Sequence, residues 1–112
     1  VHYDVIMAIL RRGTADAVME AAKKAGAQGG TILLARGTGA QEAKTFFGIT
    51  VETSREILMI LSRDSQTDQI LQAIIREGQL DKPGAGIAFV LDAKKIVGLE
   101  HRQGIVDCEE QK

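Results

Sequence analysis

The sequence predicts an α+β fold: a four-stranded antiparallel sheet with two helices packed on one face. Three observations carry this expectation. Apolar runs of strand length and segments of helical period follow one another in the order β-α-β-β-α-β, which is the split βαβ or ferredoxin-like pattern. Right-handed crossovers then place both helices on the same side of the sheet. Finally, the runs VIMAIL, ILLA, ILMIL and IAFVL are apolar at successive positions instead of alternating with polar residues, so both sheet faces call for burial. Two helices cover only one face. Oligomerisation through the other is the simplest way to bury it, ahead of a buried ligand or a membrane surface.

Each element has its own signals. Residues 3–10 form an apolar run rich in β-formers. Thr14 is the expected N-cap of the first helix, with Asp16 in its first turn. Ala17, Val18, Ala21, Ala22 and Ala25 recur at helical spacing, and Lys23, Lys24 and Gly26 mark the end. Gly29-Gly30 is a turn, and residues 31–35 form the second strand. Residues 56–61 form the third. Ser65 is the expected cap of the second helix, with Asp68 three residues on. Ile70, Leu71, Ile74 and Ile75 make its apolar stripe, and Gly78 its stop. The turn DKPGAG, with the only proline, leads into a fourth strand at 87–91, and residues 96–99 suggest a short fifth. One domain is expected over residues 1–103, with a polar tail at 104–112.

Composition narrows the function. The chain has 112 residues, is 45% hydrophobic and 26% charged, and carries a net charge of -1. That balance suits a globular domain and argues against nucleic-acid binding, which needs a basic excess. Aromatic residues, at 4%, are too few for a base-stacking platform. No run reaches the roughly 18 apolar residues of a membrane helix, and YDVIMAIL lacks the features of a signal peptide. A single cysteine, Cys108, makes no intrachain disulfide and predicts a reducing, cytoplasmic setting.

No catalytic constellation emerges, so the chain is not expected to be an enzyme. His2 and His101 read as edge or solvent-exposed histidines, and Cys108 as a surface thiol near a chain end. Ser54, Ser62 and Ser65 lack a nucleophile-elbow context. Glycine-rich loops are better represented. RGTG (36–39) follows a strand but lacks the ending of a P-loop. KPGAG precedes a strand, and its backbone N–H groups can form an anion nest beside Lys82. If subunits pack side by side, these loops can face one cleft, with Arg36, Lys82, Lys94, Lys95 and Arg102 supplying positive charge for a nucleotide's phosphates.

With GGTILLARGTGAQ leaving the second strand and DKPGAGIAFVLDAKKIVGL near the end, the first hundred or so residues resemble the PII signalling protein family. The resemblance implies a ferredoxin-like homotrimer that binds adenine nucleotides (ADP, ATP or AMP) between subunits. It implies a T-loop at about residues 37–52 that docks on a membrane transporter or metabolic enzyme, and a B-loop at 80–86. The implied nucleotide-binding set is Thr31, Arg36, Gly37, Thr38, Gly39, Lys82, Gly84, Ala85, Gly86 and Arg102. Gln41 matches the glutamine that helps hold magnesium and 2-oxoglutarate in nitrogen-sensing members. Glu42, Lys44, Phe46 and Phe47 are the implied docking residues; one phenylalanine is expected to pack, and GITVE reads as one arm of a hairpin.

The chain departs from the family pattern in places. The T-loop is short and has no tyrosine, because Tyr3 is the only one, so uridylylation there is excluded. The family lysine after the second B-loop glycine is Ile87, and arginines after the last strand are missing around Gly98 and Glu100. Fewer cations weaken a triphosphate most, which implies a preference for ADP, AMP or a cyclic dinucleotide. A second reading takes the chain as a trimeric metal-tolerance protein of related fold, with His2, His101 and Cys108 binding copper or zinc.

Overall fold

The computed structural model describes residues 2–37, 44–46, 49–51, 53–99 and 106–107. Strand β1 (Tyr3–Arg11) is followed by helix α1 (Ala15–Lys24), β2 (Thr31–Gly37), the short strands β3 (Lys44–Phe46) and β4 (Ile49–Val51), and β5 (Thr53–Arg63). Helix α2 (Asp64–Gly78), β6 (Gly86–Ala93), β7 (Lys95–Ile96) and β8 (Val106–Asp107) complete the order. The main sheet runs β2-β5-β1-β6, and every neighbouring pair is antiparallel. This is the ferredoxin-like arrangement, with the two central strands coming from different halves of the chain.

Strict alternation along β1 sorts its side chains between two environments. Asp4, Ile6, Ala8 and Leu10 are buried, while Tyr3, Val5, Met7 and Ile9 are half-buried. Ile6, Ala8 and Leu10 meet Leu58 and Ile60 of β5, Val18 of α1, and Ile70 and Ile74 of α2 in one core. Both helices therefore lie on the same face, because that is where their apolar stripes find this row.

The opposite face is apolar, and nothing among the described residues packs over it. Ladder register lines up Leu61, Val5 and Leu91 in one row and Met59, Met7 and Phe89 in the next. A third row joins Leu33, Ile57, Ile9 and Ile87. Leu33, Met59, Ile87, Phe89 and Leu91 are all exposed. The doubly apolar strands thus translate into a broad open patch on this single chain.

Helix ends depart from the sequence expectation. Thr14 occupies the N-cap position of α1, but its side chain makes no cap bond; its hydroxyl donates instead to the Arg11 carbonyl at 2.6 Å. Glu56 of β5 does the capping: its Oε1 accepts the N–H groups of Gly13 at 2.7 Å and Ala15 at 3.1 Å. The C-terminus of α1 closes as expected, with Ala27 N–H donating to Ala22 and Gly26 N–H to Lys23, the paired bonds of a Schellman motif.

Ser65 does not cap α2. β5 runs directly into the helix, so Arg63 holds the N-cap position and Ser65 already lies inside the first turn. Gly78 is not the stop either. It remains helical, and Gln79 takes the left-handed conformation at φ 53. Leu80 N–H then donates to Ile75 at 3.0 Å. The strands also run longer than expected, because ladder bonds carry pairing past the apolar core to Gly37 and Thr53. The short fifth strand lies at Lys95–Ile96, paired with Val106–Asp107 from the segment read as a tail.

Candidate functional site

The ladder register gathers four chain segments at one end of the sheet. β1 ends there at Arg11, β2 ends at Gly37, β5 begins at Thr53 and β6 begins at Gly86. The pairs Leu10↔Gly86, Arg11↔Arg55, Ala35↔Arg55 and Gly37↔Thr53 fix this alignment. The segment from Gly37 to Thr53 and the Leu80–Gly86 loop therefore emerge from the same end. They do so from opposite edges, since β2 and β6 are separated by β5 and β1, about 14 Å at ordinary strand spacing.

Two arginines span that gap, and sequence reasoning missed both. Arg11 donates Nε–H to the Gly84 carbonyl at 3.3 Å and places Nη2 at 3.5 Å from the Pro83 carbonyl. Arg55 Nη1 donates to the same Gly84 carbonyl at 3.4 Å. These residues face each other directly in the ladder, where like charges repel. The shared carbonyl offsets part of that repulsion, and Arg55 is only 7% exposed. The signal was present in the sequence: Arg11 continues the period-2 series of Tyr3, Val5, Met7 and Ile9 past its apolar end.

The loop itself is tightly wound. Lys82 N–H donates to Gln79 at 2.9 Å and Ala85 N–H to Lys82 at 3.2 Å, so two backbone donors of the expected anion nest are engaged inside the loop. The Lys82 side chain is exposed. At Gly86, φ is +138 and a Cβ would collide with the Ile9 carbonyl oxygen. Only glycine lets the chain enter the edge strand this close to β1.

Beside the β2 exit lies a hollow of about 260 Å³ lined by Arg12, Leu34, Ala35, Arg36 and Ser54. Arg36 and Ser54 are register partners. Glu56 fills the N-terminus of α1, so that helix end is not an anion site. Thr31 lies at the start of β2, about 20 Å from Gly37 along the strand at the usual rise per residue. A ligand touching both ends would have to lie along β2.

Inside the Gly37-to-Thr53 segment, Lys44–Phe46 pairs antiparallel with Ile49–Val51, the described part of the expected GITVE arm. Lys44 and Phe46 are thus placed on β3. Thr38, Gly39, Gln41, Glu42, Phe47, Arg102, His101 and Cys108 lie outside the described residues.

At the far end of the sheet, His2 Nε2 lies 3.0 Å from Asp92 Oδ1 and 3.7 Å from Asp4 Oδ1. The hydrogen bond to Asp92 raises the His2 pKa above its ordinary value, helped by the charges of Asp92, Asp4 and Asp64 and opposed by desolvation.

The main sheet, its two helices and the loop-bearing end define a ferredoxin-like α+β domain with an extended insertion between β2 and β5. The family model for the Nitrogen regulatory protein P-II matches residues 3–103. The chain belongs to that family and is a PII-like regulatory protein. No curated protein matches it. Among the described residues, no helix is long and apolar enough to cross a membrane.

Proposed function

We propose that the chain is a homotrimeric regulator that binds an adenine nucleotide between subunits and acts on a transporter or metabolic enzyme through the segment between β2 and β5. The observation that carries this reading is the convergence of that segment, the Leu80–Gly86 loop and the Arg11–Arg55 pair on one sheet end. A guanidinium pair held against backbone carbonyls is a fixed source of positive potential suited to phosphate oxygens. Because the two loops leave opposite edges of one sheet, a second subunit's edge is needed to close a cleft around a nucleotide.

The nucleotide would lie along the edge of β2, with the base toward Thr31 and the phosphates toward Arg36, Gly37 and the neighbouring subunit's Lys82 loop. Thr38, Gly39 and Arg102 complete the proposed set, and Gln41 would hold magnesium where a triphosphate binds. With Ile87 in place of a lysine, the diphosphate or monophosphate is favoured over ATP, since each missing cation costs the more highly charged ligand more.

Calorimetric titration with ATP, ADP, AMP and cyclic di-AMP, with and without magnesium and 2-oxoglutarate, tests the reading. Saturable binding near one nucleotide per chain is expected, weakened about tenfold or more by Arg11→Ala, the size expected for one charged hydrogen bond. Failure of every nucleotide to bind would overturn the sensor function. Tight ATP binding enhanced by 2-oxoglutarate would overturn the preference for ADP and AMP.

A further inference from the structure

At the end of the sheet opposite the loops, three potential metal ligands converge on one point. Asp4 of β1 and Asp92 of β6 are ladder partners on the helix-facing side, so the backbone fixes the spacing of their carboxylates. His2 precedes β1 and reaches back over both. Its Nε2 is 3.0 Å from Asp92 Oδ1 and 3.7 Å from Asp4 Oδ1, and the ligand atoms all lie within 4.8 Å of one another. Two atoms each about 2.0–2.1 Å from one zinc ion, at the tetrahedral angle, lie about 3.4 Å apart. The two His2–carboxylate separations bracket that value, and the carboxylate oxygens lie within 4.8 Å of each other.

The surroundings hold the ligands in place. Asp4 is 9% exposed. Its Oδ2 accepts the Thr67 hydroxyl at 2.6 Å, and Ser62 Oγ lies 2.7 Å from that same hydroxyl. Thr67 has a single proton, which goes to the carboxylate, so Ser62 donates to Thr67. Among the described residues the partner of Asp4 Oδ1 is His2 Nε2. A ligating carboxylate whose second oxygen is held by a buried hydroxyl has the outer-shell support that orients metal ligands. The His2 backbone is also pinned, because its carbonyl accepts the Asp64 N–H at 2.9 Å.

We propose that His2, Asp4 and Asp92 form a site for a borderline divalent transition-metal ion of the zinc type, with a fourth position open to water. One imidazole with two carboxylates suits zinc, cobalt or manganese, while an imidazole in a three-ligand set is a poor match for calcium or magnesium. A bound ion ties the segment before β1 to the end of β6 and, through His2, to the start of α2. The site lies at the opposite end of the sheet from the arginine pair and does not depend on nucleotide binding.

The test is titration of the tag-free, chelator-stripped full chain with zinc ion, followed by calorimetry and by thermal unfolding. One saturable site per chain is expected, with a zinc-dependent rise in Tm. His2→Ala and Asp92→Asn each weaken binding at least about tenfold and abolish the rise in Tm. Both side chains are accessible, 31% and 79% exposed, so these variants keep the core intact. The double variant His101→Ala/Cys108→Ser binds like the parent. Absence of saturable binding up to about 0.1 mM zinc, undiminished binding in either ligand variant, or loss of binding in the double variant would overturn the site.

Discussion

At the residue scale, the loop entering β6 depends on two glycines for different reasons. Gly84 has φ +76 with open space around it, whereas Gly86 has φ +138 and faces the Ile9 carbonyl. Gly84→Ala is therefore expected to cost about 1–2 kcal/mol, the conformational penalty alone. Gly86→Ala should cost at least about 3 kcal/mol, because the ladder must open to admit a methyl group. Urea unfolding at fixed protein concentration measures both, and equal costs would contradict the crowding at Gly86. The glycines themselves were legible from the sequence as a turn before a strand. Arg11 could be placed on the period-2 series of β1, but its carbonyl partner Gly84 lies 73 residues away, and Arg55, set before Glu56, reads as an ordinary polar strand end.

At the element scale, long-range partners overrode local capping rules. Thr14 and Ser65 carry the right chemistry for N-caps, but β5 supplies Glu56 to α1 and leaves no turn in which Ser65 could cap α2. Capping motifs describe contacts within a few residues, and Glu56 is 43 residues from Gly13. Glu56→Ala is expected to destabilise the fold by about 1–2 kcal/mol, through the lost cap and the lost charge at the helix N-terminus. Glu56→Gln keeps the acceptor and should lose only about half of that. Denaturation midpoints check both, and a neutral Glu56→Ala would refute the capping role. The elements themselves were legible because apolar runs and helical spacing are local signals. Their exact ends were not, because strand length is set by pairing and the α2 terminus by Gln79 in place of Gly78.

At the scale of the whole molecule, the arrangement is unfinished as a single chain. Three rows of apolar side chains cross the open face of the sheet, and the two loops of the candidate site leave opposite edges. Both features were legible in part: the doubly apolar strands foretold the open face, and the β-α-β-β-α-β order foretold the sheet. The shared sheet end of the loops also follows from that order, because antiparallel neighbours in β2-β5-β1-β6 make β2 exit where β6 enters; the residue-by-residue register is what the sequence does not display. The proposed homotrimer answers both features, since in a symmetric assembly the sheets would cover one another and neighbouring edges would close the clefts. The most direct measurement is sedimentation equilibrium of the parent protein. A mass three times the 12.1 kDa chain, persisting at low micromolar concentration, is the result this account requires. A stable 12.1 kDa monomer would contradict it, leaving the apolar face without its partner and the nucleotide without its cleft.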